Sequence, residues 1–206
     1  MKSYNKKRPI VKPYSASCER NKLPILSVIT PLLENKTNLL EIGSGTGQHA
    51  VFFAEQLPHL SWQTSDRVEN HTDIHRWLDD SPATNINLPI QLDVIEDPWP
   101  EQPFDAIYSA NTAHIMSWKA VQAFFEGVGN SLEMNGIFIL YGPFNYHGKF
   151  TSESNEMFEQ WLKRIDPERG IRDFEAVCLL AKNAGMKLLE DYEMPSNNRI
   201  LVWQKV

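Results

Sequence analysis

Cysteine is nearly absent from this chain: Cys18 and Cys178 stand far apart among 206 residues. That excludes a disulfide framework and cysteine-rich zinc spacing, and fits free thiols in a reducing cytoplasm. Cys18 falls near the ligand-binding turn described below, but nothing around it spells an activated nucleophile. Long apolar runs are also missing, so no membrane span is expected. The N-terminal stretch carries Lys2, Lys6, Lys7, Arg8 and Lys12 where a secretory leader would have an apolar core. Metal-ligand clusters are missing too. His71 and His75 are four apart on a predicted helix, without a third ligand, which reads as a solvated face and no metal site. Positive charge is in deficit, with 20 Lys and Arg against 26 Asp and Glu and a net charge of −6. This disfavours a nucleic-acid partner, which needs phosphates neutralised.

What is present is an ordinary globular composition, 42% hydrophobic and 22% charged, enough for one three-layer domain. Residues 1–16, basic and punctuated by Pro9 and Pro13, read as an extended arm, and 17–206 as a single domain. Leu23, Leu26, Ile29 and Leu33 recur at helical steps over Ser17–Leu33, where Pro24 is tolerable only in a first turn. Strands are expected at Asn38–Ile42, Leu60–Ser65, Ile90–Leu92, Phe104–Ser109 and Gly136–Tyr141. Helices are expected from Gln48 towards Leu57, over Asn70–Asp79 and over Ser117–Glu133. That alternation implies a doubly wound α/β sheet. A polar insertion over 145–170 contains helical spacing at Ser154–Ile165. A helix over Asp173–Asn183 and two strands, Lys187–Glu193 and Arg199–Gln204, complete the chain as a terminal hairpin.

Chemistry concentrates in Leu39-Leu40-Glu41-Ile42-Gly43-Ser44-Gly45-Thr46-Gly47. A strand that ends in alternating glycines and opens into a helix is a nucleotide-binding turn. Glu41 and the glycine spacing point to S-adenosylmethionine held by Glu41, Gly43, Ser44, Gly45, Thr46 and Gly47. Gln48 stands where a dinucleotide fingerprint has glycine, and no P-loop lysine follows. Asp66 ends the second predicted strand, where an acid accepts hydrogen bonds from ribose hydroxyls. Arg67 either covers the adenine or pairs with Asp66. Asp93 and the Val94 amide end the third strand and suit the adenine edge, loop capping by Asp93 being the other reading. Asn111 to His114 follow the fourth strand, where ligands of open α/β sheets bind. His114 is read either as a general base or as a capping group.

The chain from Leu39 to Val206 resembles class I S-adenosylmethionine-dependent methyltransferases. Their seven-stranded, mostly parallel sheet ends in an antiparallel hairpin and carries helices on both faces. Closer motifs resemble the methyltransferase-like protein 26 family, a domain of unknown function. They are Glu19-Arg20-Asn21-Lys22, Asn111 to His114 with Trp118, Tyr141-Gly142-Pro143-Phe144, Phe150 to Asn155, Gly170-Ile171-Arg172-Asp173 and Met194 to Asn198.

The resemblance implies this fold and S-adenosylmethionine as cofactor, and with the free thiols the expectation is a methyltransferase of the cytoplasm, its residue roles read from their places at strand ends. Asn111 and Tyr141 would line the methyl channel, with His114 as proton acceptor. Arg20, Asn21, Tyr141, Asn145, Ser154, Asn155, Arg172, Asp173, Asn197 and Asn198 would converge on the substrate, or else serve as caps and turns. If Arg20 and Arg172 grip together, the substrate is a small polar molecule carrying a carboxylate or phosphate. A cofactor-binding module without catalysis and an NAD-dependent oxidoreductase are the competing readings. Gln48 and the terminal hairpin count against the latter.

Overall fold

The computed structural model describes residues 12–206. The arm expected over 1–16 therefore lies mostly outside the described residues. Helix α1 spans Ala16–Leu33 and is capped by the Ser15 hydroxyl, which accepts from the Cys18 amide. Strand β1 (Asn38–Ile42), helix α2 (Gln48–Gln56), β2 (Ser61–Asp66), α3 (Val68–Leu78), β3 (Ile86–Gln91), β4 (Phe104–Ala110), α4 (Trp118–Ser131) and β5 (Leu132–Gly142) follow in order. Next come β6 (Phe144–Asn145), α5 (Glu153–Ile165), β7 (Arg172–Asp173), α6 (Phe174–Asn183), β8 (Met186–Met194) and β9 (Asn198–Lys205).

The seven-stranded sheet has the order β3-β2-β1-β4-β5-β9-β8. Pairings from β3 to β5 are parallel, while β9 runs antiparallel to both β5 and β8. Strand direction of chain growth reverses between β1 and β4, which opens a crevice at their carboxyl ends. Residue alternation along the strands feeds two cores. Leu40, Ile107, Phe138 and Trp203 pack with α4 and α6 on one face. Leu39, Tyr108, Ile139 and Val202 pack with Ile25, Ile29 and Phe53 of α1 and α2 on the other.

Besides the shifted edge strand β3, two features depart from the sequence expectation. Pro24 lies in the interior of α1 rather than its first turn, and Pro31 follows near its end. A proline withdraws one backbone donor per site and normally breaks a helix. Here the helix continues because its apolar face, Ile25, Ile29 and Leu33, is fully buried. The Ser27 and Thr30 hydroxyls meanwhile donate to the carbonyls of Pro24 and Leu26, both at 2.7 Å. The second departure is the β6–β7 ribbon, in which Phe144 pairs with Arg172 and Asn145 with Asp173. It ties the end of β5 to the start of α6, and two-residue strands leave no periodic trace in a sequence.

Candidate functional site

The glycine turn sits at the carboxyl end of β1. Gly43, Gly45 and Gly47 all have positive φ, at 74°, 59° and 84°. Two of them are also crowded by neighbours. A Cβ on Gly43 would stand 2.5 Å from Thr112 Cγ2, and one on Gly47 3.1 Å from the Ile74 Cα. A Cβ on Gly45 would meet nothing within 4 Å, so the tip of the turn faces open space.

Glu41 lies under the turn, 2% exposed. It accepts from the Ser44 hydroxyl at 2.9 Å and the Trp62 indole at 3.1 Å. Burial pushes its carboxyl up to about 7, against the pull of those two donors. Asp66 braces the turn from β2. Its Oδ2 accepts the Gly45 amide at 2.7 Å, and its Oδ1 accepts the Arg67 amide and the Asn70 side chain. A carboxylate has about four lone-pair positions, so one on Oδ2 stays available to a ligand hydroxyl. Open space over Gly45 and that lone pair fit a nucleoside-bearing cofactor.

Other expected contacts resolve differently. Arg67 pairs with Glu69 at 2.7 Å and not with Asp66 through its side chain. Asp93 Oδ1 caps the Ile95 amide at 2.9 Å, the loop-capping reading, and leaves Oδ2 without a partner among the described residues. His71 turns back to the Asp66 carbonyl at 2.9 Å, and no group of three metal-ligating side chains occurs among the described residues. Gln48 secures α1 instead of leaving room as a glycine would. Its Oε1 accepts the Ser15 amide at 3.0 Å and its amide donates to Glu19.

Next to the turn, Ser109 of β4 donates to the Ile42 carbonyl and shares a 2.7 Å hydrogen bond with Thr112, the residue packed on Gly43. Asn111, between them, has φ 60° and donates its amide to the Tyr141 carbonyl at 2.9 Å. A non-glycine residue held in that region marks a position where the fold accepts strain. Ser196, with φ 61° in the β8–β9 turn, is a second one on the same cavity.

That cavity, of about 310 Å³, opens over the ends of β4 and β5. It brings together Arg20 and Asn21 from α1, Asn111, Tyr141, Ser154 and Asn155 from α5, and Asn198. Ser17, Pro24 and Phe158 also line it, and nothing in the sequence marks them as site residues. Pro143, Pro195 and Ser196 line it as well, and lay inside the motifs already singled out. Asn21 is fixed by the buried His49 ring at 2.7 Å. Burial raises the Tyr141 phenol above its usual value, with Asn21 and the Arg20 cation opposing.

Five expected residues do not reach this wall. Arg172 is buried and spends its guanidinium on the carbonyls of Ala113, Met116 and Glu168, so it is a strut and cannot grip a substrate with Arg20. Asn145 and Asp173 belong to the small ribbon. Asn197 braces α5, its carbonyl accepting the Asn155 amide at 3.2 Å, and lines a neighbouring depression. His114 is 6% exposed behind Phe158, the two rings in an edge contact with centroids 5.2 Å apart. Burial, with Arg172 and Arg169 adding repulsion, lowers its pKa to about 4, which leaves a weak proton acceptor away from the cavity.

The family model described as "Protein of unknown function (DUF938)" matches residues 12–205. The chain belongs to the DUF938 family. Solved structures similar to this DUF938 chain share its fold. An O-methyltransferase family protein from Burkholderia thailandensis is 9% identical with a TM-score of 0.81, covering 92% of this chain and 57% of that one. Human N-acetylserotonin methyltransferase, solved with SAM, is 15% identical with a TM-score of 0.77, covering 92% and 52%. An O-methyltransferase family 2 protein from Planctomyces limnophilus, solved with apigenin, is 15% identical with a TM-score of 0.78, covering 92% and 60%. The DUF938 chain thus spans little more than half the length of these proteins and has the α/β methyltransferase fold. No helix among the described residues is long and apolar enough to cross a membrane.

Proposed function

We propose that this protein is a cytoplasmic S-adenosylmethionine-dependent methyltransferase acting on a small polar molecule with an anionic group. Its motifs, read as resembling those of the methyltransferase-like protein 26 family, support this reading. The observation that carries the reading is the cavity over the ends of β4 and β5. Asn111 and Tyr141 line it, and Thr112 beside Asn111 packs on the glycine turn.

Gly43 to Gly47, Glu41, Asp66, Asp93 with Val94, and Asn111 would hold the cofactor. When bound, it supplies an activated methyl group on a sulfonium. The chain's own contribution is alignment and exclusion of water, which by themselves account for much of the rate of such a displacement. Pro24, Pro143, Pro195 and Phe158 give the cavity rigid apolar walls, while Asn21, Ser154, Asn155 and Asn198 orient a polar acceptor.

Calorimetry of the full chain against S-adenosylmethionine, S-adenosylhomocysteine and NAD tests the cofactor. Binding of the two sulfur ligands with no NAD heat is expected. NAD binding without S-adenosylmethionine binding refutes the proposal.

A further inference from the structure

Arg20 and Tyr141 are the ionisable side chains on the cavity wall among the described residues. The rest of the wall is amide, hydroxyl, proline and one phenyl ring. No carboxylate or imidazole reaches it: His114 lies behind Phe158, and His49 is turned onto Asn21. Methyl transfer to an alcohol, phenol or ammonium ion requires loss of a proton, and no side chain on this wall is a base placed to take it. Burial raises the Tyr141 phenol above its usual value, so it keeps its own proton and is no general base. The wall nevertheless carries one full positive charge, on Arg20, whose planar fork matches a carboxylate.

We propose that the methyl acceptor is itself a carboxylate, held by Arg20 against Asn21 and Tyr141, and that the product is a methyl ester. This rests on the methyltransferase reading above. A carboxylate oxygen forms the new bond to the methyl carbon as the carbon–sulfur bond breaks. The electron pair of that bond stays on sulfur, giving S-adenosylhomocysteine and a neutral ester. No proton moves, so the missing base is no deficit. The product loses the charge that Arg20 holds, which favours its release.

The test uses the full chain, methyl-labelled S-adenosylmethionine and a panel of small hydroxy- and amino-substituted carboxylates. Each is paired with its carboxamide and with the phenol or amine of the same shape. Label is expected in carboxylates alone, and alkali should release it as volatile labelled methanol. Calorimetry of the same panel on protein saturated with S-adenosylhomocysteine gives a readout free of turnover. Carboxylates should bind and carboxamides should not. Arg20→Gln should weaken carboxylate binding about tenfold or more while leaving S-adenosylhomocysteine binding unchanged.

Alkali-stable label in phenols or amines overturns the proposal. So does a panel in which no carboxylate binds or is labelled although the cofactor binds. Loss of S-adenosylhomocysteine binding in Arg20→Gln also overturns it, since Arg20 would then serve the cofactor. Failure of the unaltered chain to bind either sulfur ligand sinks the methyltransferase reading instead.

Discussion

Replacing Glu41 by glutamine separates the electrostatics of the glycine turn from its shape. Glutamine keeps an oxygen that accepts from Trp62 and Ser44, but it cannot ionise. In the folded chain the Glu41 carboxyl titrates at about 7 against an ordinary 4.5, so between those values the native state holds a proton that the unfolded chain has released. Stability contributed by this proton is complete below about 4.5 and is lost as pH rises through 7. A shift from 4.5 to about 7 amounts to about 3 kcal/mol. His49 and His114 work in the opposite sense over the same window, since burial lowers both from 6.5 to about 4. The unaltered protein alone would therefore mask the effect, and the difference between it and Glu41→Gln must be read. Urea unfolding of both chains from pH 4 to pH 9 measures it. Glu41→Gln should gain about 3 kcal/mol relative to the parent between these limits, most of it between pH 5 and 7. Parallel curves would mean that Glu41 ionises freely, and the burial argument would fail.

Gly45→Leu places a side chain in the open space over the turn. Left-handed backbone should lower stability by only about 1–2 kcal/mol, while calorimetric binding of S-adenosylhomocysteine disappears. Retained affinity at an unchanged melting profile would remove the turn from the site. His114→Asn should flatten the acid limb of stability, because a buried neutral histidine loses about 3 kcal/mol as pH falls from 6.5 through 4. The same variant should retain methyl transfer to carboxylates, whereas loss of a true general base would slow it about a hundredfold or more. Arg172→Met leaves the carbonyls of Ala113, Met116 and Glu168 without their donor and should lower stability by about 3 kcal/mol in urea titration. Unchanged stability would show that Arg172 is free for a ligand.

What a sequence reveals here follows the range of the forces involved. The β1–turn–α2 unit was legible to the residue, because buried strand, positive-φ glycines and helix start are all local. Strand β3 was expected at Ile90–Leu92 and lies at Ile86–Gln91. It is an edge strand, half exposed and interrupted by Pro89, with a register shift against β2, so its alternation is weak. The first-turn rule for Pro24 does not hold here because helix propensity is local, while burial of Ile25 and Ile29 is tertiary. The polar residues of the motifs presented the hardest case. Arg20 and Arg172 look alike as side chains, yet the hydrogen-bond partners of Arg172 include carbonyls 59 and 56 positions away in the chain.

That difference decides the chemistry. Two arginines in one cavity would suit a phosphate or a dianion, and a base nearby would suit an alcohol. With Arg172 drawn into the scaffold and His114 sealed behind Phe158, the wall retains one cation and no proton acceptor. A monoanion that needs no deprotonation is the acceptor which satisfies both conditions. The carboxylate assignment thus follows from the two residues that the fold took out of the site as much as from those it left there.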